Sequence, residues 1–439
     1  MKNRILIAAV AVAVIAAGAL LGGVFRESPS PASAEIALAE QQVEDFQAGF
    51  KLNASTAAFV QALQAKLGVN AKDEHAWLLL GLAYQQRARE TGDPTYYTKS
   101  QGSLEHALAL DKNDAFAVSG LGSLALARHR FEEALSLGEK AHRLAPTVAR
   151  HYGVIGDALV ELGRYDEAFH AFDTMNRLRP DLSSYARISY GRELHGNTPG
   201  AIKAMKLAVD AATGAKEPTA WTHVQLGKLY FNHGRYALAL REMRLANTIF
   251  PEYAYGLDAQ AQVEAALGNT KAAIALERAA VDAIPLPQYV AALGDLYRVT
   301  GRPAAARQQY ALIGAIERLL RANGVKVDLE IALFDVDHGI ALKHALSLAR
   351  IGQRNRPSID GDDVLAWALA RNGRCAEAMP YSQRALLLGT QDALKFFHRG
   401  MIERCLGHSA DARTWFRRAL ELNPQFSLIW APVARRYSA

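Results

Sequence analysis

The chain has 439 residues, of which 50% are hydrophobic and 21% are charged, so it contains enough apolar material for a large core. The net charge is only +6 at pH 7, and acidic and basic residues are interspersed along the chain. This pattern is typical of a solvated helical surface, and it argues against a protein dedicated to binding nucleic acid.

The N-terminal 34 residues differ from the rest of the chain. The start, MKNR, is positively charged, and residues 5–25 form an uninterrupted apolar stretch that is long enough to span a bilayer as a helix. A positive N-terminal flank predicts that the chain after this stretch is exported. We therefore expect a single-pass protein of the cell membrane, with the remaining residues outside the cytoplasm. The alternative is cleavage after Ala34, because the tripeptide ASA that ends there is typical of a signal-peptidase site; the product would be secreted or periplasmic.

From residue 73 onward a pattern recurs about every 34 residues. An alanine or a substitute marks each copy, at Ser100, Ala134, Ala168, Ala201, Ala239, Ala273, Ala306, Ala345, Ala378 and Ala412. Each copy predicts two helices. The first ends at a glycine such as Gly163, and the second ends before a proline such as Pro180. Small residues such as Gly156 should let the two helices pack closely. The chain is therefore predicted to be all-α, a superhelical α-solenoid of about ten helix–turn–helix repeats.

The period divides the chain into five predicted parts. Residues 1–34 are the membrane anchor or signal peptide, and residues 35–72 are a linker with N-terminal capping helices. Residues 73–317 hold repeats 1 to 7, and residues 318–424 hold an irregular repeat 8 followed by repeats 9 and 10. Residues 425–439 form a C-terminal cap, which is needed because each internal repeat buries both faces against its neighbours.

The repeated residues resemble the tetratricopeptide repeat (TPR). The stretch from Trp77 to Tyr84 reads WLLLGLAY, and residues 155–180 place Gly156, Gly163, Ala168, Phe172 and Pro180 at the spacings of that family. The resemblance covers about residues 73–424. It implies a right-handed superhelix whose first helices line a concave face, and an exported or membrane-anchored bacterial protein. It also implies a non-catalytic scaffold that binds proteins or peptides through the concave face.

Two other classes of function are open. A cell-envelope assembly factor that binds a glycan or a lipid-linked saccharide would be favoured by aromatic residues exposed along the concave face. An enzyme would need a convergent acid and base, for which Asp335, Asp337 and His338 are the candidates; the same residues are typical of the polar end of a helix that stops at Gly339. The acidic run at 360–363 is expected to cap a helix. We expect no metal and no cofactor.

The resemblance also implies which residues face a partner. Carried over repeat by repeat, the groove positions are Phe116, Arg150, Asp157, Tyr190, Trp221, Lys228, Phe231, Trp367, Phe397 and Arg404. Aromatic residues and arginine are the side-chain types that anchor interfaces. Trp221, Lys228 and Phe231 are the strongest candidates, because their spacing puts them on one stripe of one helix.

The chain has two cysteines, Cys375 and Cys405. Cys375 stands where other repeats carry Phe131, Tyr165 or Tyr236, and we expect this position to face the next repeat. In the packing that the resemblance implies, Cys375 lies near the end of the first helix of repeat 10, which contains Cys405. We therefore expect a disulfide, with two buried thiols as the alternative.

Overall fold

The computed structural model describes residues 55–212 and 216–439, and within these residues every regular element is a helix. The twenty-two described helices are α1 Thr56–Val69, α2 Glu74–Thr91, α3 Thr95–Leu110, α4 Ala115–Ala127, α5 Phe131–Leu144, α6 Ala149–Glu161, α7 Tyr165–Leu178, α8 Leu182–Leu194, α9 Thr198–Ala211, α10 Lys216–Asn232, α11 Tyr236–Ile249, α12 Ala254–Ala266, α13 Thr270–Ala283, α14 Pro287–Val299, α15 Pro303–Ala322, α16 Asp328–His338, α17 Leu342–Asn355, α18 Ile359–Arg371, α19 Cys375–Ala385, α20 Ala393–Cys405, α21 Ser409–Leu422 and α22 Ala431–Tyr437. The predicted anchor at 5–25, the cleavage site after Ala34 and residues 35–54 of the predicted linker lie outside the described residues.

Helices α2 to α21 form ten consecutive pairs, from repeat 1 (α2 and α3) to repeat 10 (α20 and α21). Helix α1 packs on α2 at one end, and α22 packs on α21 at the other. The first helices of most neighbouring repeats also contact one another, whereas contacts between second helices are sparse. The first helices therefore line the inside of the curve and the second helices the outside. This arrangement confirms the predicted all-α solenoid.

The glycines that were predicted to end the first helices adopt a left-handed backbone. They are Gly163, Gly196, Gly234, Gly268, Gly301, Gly373 and Gly407. At Gly163 φ is +72°, a conformation in which a side chain would cost energy. Repeat 2 has His129 at this position with φ of +55°, and its ring stacks on Phe131 at 5.8 Å between centroids.

Close contact within each pair depends on small residues in the first helix. A Cβ atom added at Gly400 would lie 2.6 Å from the ring of Phe416, and one added at Gly227 would lie 2.6 Å from Met243. Neither distance leaves room for a methyl group. The glycines therefore let a large side chain of the second helix lie directly on the first helix, as the sequence predicts.

The solenoid winds tightly enough for late repeats to contact early ones. The backbone N–H of Lys326 donates to the carbonyl of Arg128 at 3.1 Å, and the carbonyl of Lys326 lies 2.7 Å from Nδ1 of His129. His129 and Lys326 are 197 positions apart in the chain, which is about six repeats. We call the whole set of such contacts the inter-turn seam. In it the segments 128–130, 161–165, 194–196 and 231–236 meet the segments 324–330, 356–360, 389–391 and 423–425.

The centre of the inter-turn seam is a half-buried arginine, Arg356. Arg356 donates to both carboxylate oxygens of Glu161 in repeat 3, and its third nitrogen donates to Glu330 at 3.3 Å. Next to it, the hydroxyl of Tyr165 accepts the backbone N–H of Ile359 at 2.6 Å. Burial opposes the charge of Arg356, but the surrounding carboxylates raise its pKa. Repeat 3 is therefore joined to the junction between repeats 8 and 9 by charged hydrogen bonds and by a hydrogen bond from the backbone.

Further hydrogen bonds join early and late repeats along the inter-turn seam. The hydroxyl of Thr390 donates to the carbonyl of Leu194, and the amide of Asn423 donates to the carbonyl of Phe231 at 2.9 Å. The hydroxyl of Tyr236 donates to the side-chain oxygen of Asn423 at 2.6 Å. One complete superhelical turn is thus closed against the next.

We expected the first residue of each second helix to face the next repeat, but in the inter-turn seam this residue has a different neighbour. Tyr165 and Tyr236 instead contact a segment about six repeats away. Repeats 6 to 10 have no described repeat far enough along the chain to cover their turns. At the same position they carry Thr270, Pro303, Leu342, Cys375 and Ser409, none of which is aromatic. Cys375 therefore replaces an aromatic residue where no superhelical turn lies against it.

Candidate functional site

Four of the ten predicted groove residues are buried in the structure, where they contact other side chains of the solenoid. The exposed fractions are 8% for Phe116, 8% for Asp157, 1% for Trp367 and 0% for Phe397. The physical reason is the tight winding: the first helices approach so closely inside the curve that their side chains contact one another. At these four positions the concave face is therefore occupied by packed side chains of the chain itself.

Asp157 and Arg187 illustrate this filling. The guanidinium of Arg187 donates to both oxygens of Asp157 at 2.9 and 2.5 Å, and a further nitrogen donates to the hydroxyl of Ser183 at 2.8 Å. Burial raises the pKa of Asp157, and Arg187 opposes that rise. Asp157 therefore joins the first helices of repeats 3 and 4.

Trp367 and Phe397 belong to an aromatic cluster at the C-terminal end. The indole N–H groups of Trp367 and Trp430 both donate to the same oxygen of Asp337, at 2.8 and 2.9 Å. Phe397 stacks on Trp430 at 5.3 Å between centroids. Trp430 precedes α22, so this cluster attaches the C-terminal cap to repeats 8, 9 and 10.

Of the other candidate residues for acid–base chemistry, His338 also has structural partners. His338 contacts Asp295 through Nε2 at 2.9 Å and the carbonyl of Phe334 through Nδ1 at 2.7 Å, so it does not converge with Asp337 on a common space. In the acidic run at 360–363, each carboxylate has a basic partner on another helix: Asp360 contacts Lys395, Asp362 contacts Arg384 and Asp363 contacts His398.

Arg150 and Tyr190 are half-buried on the inner face. The Nε and Nη2 atoms of Arg150 are buried and have no hydrogen-bond partner among the described residues. Burial lowers the pKa of Arg150 to about 10, although Asp114 opposes this. Burial also raises the pKa of Tyr190 well above its usual value, as do the carboxylates of Asp360 and Glu161.

Trp221, Lys228 and Phe231 are half-buried along α10, and both aromatic side chains pack against the core. Four residues before Trp221, the carboxylate of Glu217 contacts Gln86 of repeat 1 and Tyr253 of repeat 6. This end of α10 therefore faces the inside of the superhelix. The three side chains remain predicted partner contacts.

The two cysteines are bonded to each other in the structure, with their Cα atoms 6.1 Å apart. Cys375 begins α19 and Cys405 ends α20, so the bond links repeats 9 and 10. This Cα separation falls in the range of unstrained disulfides. Thiol labelling, described in the Discussion, tests the bond in solution.

One group of potential metal ligands occurs among the described residues: Glu403, His408 and Asp411, whose ligand atoms lie within 4.8 Å of one another. Both oxygens of Glu403 already have partners. They accept from Arg399 at 2.8 Å and contact Nδ1 of His408 at 2.8 Å. A cation would have to displace the arginine, so we assign no metal to this group.

A groove with a volume of about 410 Å³ lies between α7 of repeat 3 and α8 of repeat 4. We call it the α7–α8 groove. It is lined by Phe169, Phe172, Asp173, Asn176, Arg187, Ile188, Gly191, Arg192, His195 and Asn197. Phe172 is buried and forms part of the floor, whereas Asp173, Arg192 and His195 are exposed at the rim. The groove thus combines an aromatic floor with a charged and polar rim.

Sequence reasoning missed this groove, although one residue signals it. Gly191 lies ten residues before the marker Ala201, and the ring of Phe169 would be 3.0 Å from a Cβ atom there. At the matching position seven other repeats carry buried apolar residues: Leu124, Ala158, Leu229, Val263, Leu296, Ala368 and Ile402. A glycine in place of this core residue marks repeat 4 as different.

The rim of the α7–α8 groove offers defined polar groups. The ring of His195 lies 4.5 Å from that of Phe169, and its Nδ1 is 2.9 Å from the carbonyl of Gly191. Because a carbonyl only accepts, Nδ1 carries the hydrogen in the neutral ring, which leaves Nε2 as an acceptor. Arg192 donates one N–H to the carbonyl of Gly200 at 3.1 Å. A volume of a few hundred Å³ with an apolar floor and few polar groups is typical of a binding pocket.

No protein-family model and no curated protein matches the chain. Solved structures match at low similarity. A thermophilic TPR protein of Thermus thermophilus is 23% identical over 44% of this chain and 98% of its own, with a TM-score of 0.38. PilF of Pseudomonas aeruginosa is 16% identical over 55% of this chain and 99% of its own, with a TM-score of 0.37. The Cut9–Hcn1 hetero-tetramer of the APC/C is 12% identical over 93% of this chain and 97% of its own, also with a TM-score of 0.37.

Similarity this low carries no argument about function. The decisive observation is the chain's own succession of ten helix pairs, most of which have a first helix that ends at a left-handed glycine and several of which have a glycine where the two helices approach. The fold is an α-solenoid of ten helix pairs, whose repeats resemble the tetratricopeptide repeat. The solenoid differs from the sequence expectation in its interior, where four predicted groove residues are buried.

The predicted location at the cell membrane is wrong for the part of the chain that the structure describes. In residues 55–212 and 216–439, no helix is both long enough and apolar enough to cross a membrane. The prediction depended on residues 5–25, which lie outside that part.

Proposed function

We propose that this TPR protein is a non-catalytic scaffold that binds a protein or peptide partner in the α7–α8 groove. The observation that carries the proposal is the groove itself: an aromatic floor, about 410 Å³ of space and an exposed polar rim, between two helices of a repeat scaffold. An aliphatic or aromatic side chain of the partner would lie on Phe169 and Phe172.

The chemistry of the rim supports a peptide as the occupant. Interfaces derive most of their affinity from a few apolar anchors in well-formed pockets, surrounded by polar contacts. Here the anchor would lie against Phe169, while Arg192, His195 and Asp173 could bind backbone carbonyls and N–H groups of the partner. Binding of a glycan is not favoured, since it needs aromatic residues exposed along the inner face and Trp367 is buried.

A matched pair of variants tests the proposal. Asp173→Trp would fill the α7–α8 groove from its rim. Glu139→Trp places the same side chain at the matching position of repeat 2, five residues after the marker alanine, and both sites are exposed. Peptides are selected from a random library on the full-length chain, and their affinities for both variants are measured by fluorescence anisotropy.

We expect Asp173→Trp to weaken binding by roughly tenfold or more, which corresponds to the loss of one anchor side chain. Glu139→Trp should bind as the unmodified chain does. Equal binding by both variants would contradict the proposal. If binding were lost instead in a variant with Trp221→Ala and Phe231→Ala, while Asp173→Trp had no effect, the partner would bind along α10.

A further inference from the structure

The C-terminal end of the chain carries an excess of arginine. Residues 371–439 contain ten arginines and one lysine against five acidic residues, so their formal charge of +6 equals that of the whole chain. Some of these arginines are neutralised locally: Arg374 pairs with Glu377, Arg384 with Asp362 and Arg399 with Glu403. The remaining arginines therefore determine the electrostatic character of this end.

Two of those arginines lie over the ring of Tyr437, and a third contacts the backbone of the next residue. The guanidinium of Arg404 lies 4.1 Å from the centroid of the ring, and that of Arg436 lies 4.8 Å from it. Arg417, on α21, donates to the backbone carbonyl of Ser438 at 3.3 Å. We call Arg404, Arg417 and Arg436 the arginine patch. All three residues are exposed, and Arg404 is the one predicted groove residue that lies fully at the surface.

The arginine patch lacks acidic partners among the described residues, because no ion pair joins Arg404, Arg417 or Arg436 to a carboxylate there. Two of the three guanidinium groups are held over an aromatic ring, which limits their rotation. A planar guanidinium that is already oriented presents its N–H groups in pairs, and such pairs match the two oxygens of a carboxylate.

We propose that the arginine patch is an interaction surface for an acidic segment of a partner protein. Charge complementarity and guanidinium geometry both fit carboxylates, as they also fit phosphates. A long polyanion fits less well, because Asp411 and Glu421 are exposed on the same helix as Arg417 and would repel an extended phosphate backbone or an anionic membrane. This surface is separate from the α7–α8 groove and does not depend on binding there.

The experiment compares two triple variants of the full chain. In the first, Arg404→Gln, Arg417→Gln and Arg436→Gln remove the arginine patch. In the second, Arg143→Gln, Arg177→Gln and Arg278→Gln remove three exposed arginines elsewhere, so that the change in net charge is identical. The probe is a fluorescein-labelled hexaglutamate peptide, whose anisotropy is measured over a range of salt concentrations.

We expect the unmodified chain and the second variant to bind hexaglutamate equally, and the first variant to bind roughly tenfold more weakly or worse. Loss of the arginines should also flatten the salt dependence. The proposal is overturned if the unmodified chain does not bind the peptide, or if the two triple variants bind it alike.

Two parallel measurements identify the class of partner. Single-stranded oligonucleotide and phosphatidylserine vesicles are titrated against the same proteins, and tighter binding of either than of hexaglutamate would overturn the assignment to an acidic protein. Asp173→Trp should bind hexaglutamate normally. Evidence against the proposed binding in the α7–α8 groove can therefore be distinguished from evidence against the proposed binding at the arginine patch.

Discussion

At the scale of single residues, burial decides what a charged side chain does. Asp157 and Arg187 form a bidentate ion pair of which less than a tenth of either side chain is exposed. The pair Arg164 and Glu167 has comparable geometry on the surface, with about half of each side chain exposed. Water screens the second pair and not the first, so the two should contribute very differently to stability.

Replacing Asp157 with Asn tests this difference. The change leaves the charge of Arg187 buried without its counter-charge, and we expect the free energy of unfolding to fall by about 3–5 kcal/mol. Glu167→Gln, which breaks the exposed pair, should cost about 1 kcal/mol or less. Urea unfolding monitored by circular dichroism measures both. Similar losses in the two variants would contradict this assignment.

Glu74 gives a prediction about pH. Burial, together with a hydrogen bond to Asp114, raises the pKa of Glu74 to about 8 from an ordinary value of 4.5. The folded state therefore keeps a proton that the unfolded state releases at lower pH. The contribution of this group to stability is complete below about pH 4.5 and is lost as the pH rises towards 8.

Glu74→Gln should accordingly flatten the decline in stability between pH 5 and pH 8, because glutamine has no proton to release. Urea midpoints across this range measure the effect. Glu105→Gln, at an exposed site on α3, serves as the control and should keep the profile of the unmodified chain. An unchanged profile for Glu74→Gln would show that Glu74 titrates normally.

At the scale of helices, the residue that begins each second helix has two roles. Where a later turn of the solenoid lies against it, as at Tyr165 and Tyr236, it contacts that turn. In repeat 9, against which no later turn of the described residues lies, Cys375 is bonded to Cys405 of the adjacent repeat. The first residue of the second helix therefore contacts a repeat about six units away in some repeats and the adjacent repeat in repeat 9.

Tyr165→Phe removes the acceptor for the backbone N–H of Ile359 at the start of α18. An unpaired buried N–H costs about 1–3 kcal/mol, and we expect a loss of stability of that size. Tyr152→Phe removes an exposed hydrogen bond of 3.3 Å to Pro146, and it should have little effect. Hydrogen exchange should speed up at the start of α18 in the first variant alone. Unchanged exchange there would argue against the contact.

The disulfide gives a second prediction at this scale. Cys405→Ser opens a loop of 30 residues and should lower the free energy of unfolding by about 3 kcal/mol. A reductant should destabilise the unmodified chain to the same extent and leave Cys405→Ser unaffected. Thiol labelling of the denatured, unreduced chain should find no free thiol; full labelling would show that the bond is absent.

At the scale of the whole molecule, the inter-turn seam makes the solenoid compact. Replacing Arg356 with Met leaves Glu161 and Glu330 without their shared partner, and Glu161 is buried. We expect a loss of about 3–5 kcal/mol and a larger radius of gyration by small-angle X-ray scattering, because repeats 3 and 9 would separate. Arg164→Met, which affects only an exposed pair, should change neither. A compact and stable Arg356→Met would mean that backbone contacts alone close the seam.

Local features of this protein could be predicted from residues that are near one another in the chain. The period of about 34 residues identified ten helix pairs, and Gly163 and its equivalents marked where the first helices end. These features depend on backbone conformation and on packing between adjacent helices. Both are set within one repeat, so each repeat supplies independent evidence for them.

Trp367 and Phe397 show where this reasoning fails. Their positions suit a concave face in a loosely wound solenoid, and their burial follows from contacts with Trp430 and Asp337. The α7–α8 groove likewise required the placement of Phe169 against Gly191, which no single repeat reveals. These are consequences of how repeats are placed relative to one another.

The amino-acid sequence by itself determined the helices, their pairing and the order of the repeats, because those follow from the hydrophobic period and from glycines within one unit. Only the tertiary structure decided which of those helices contact each other after a full turn, and therefore which side chains are left for a partner. Small changes in the angle between neighbouring repeats accumulate over six of them. The accumulated angle determines whether Tyr165 contacts Ile359 or faces solvent. No pattern within one repeat encodes this angle.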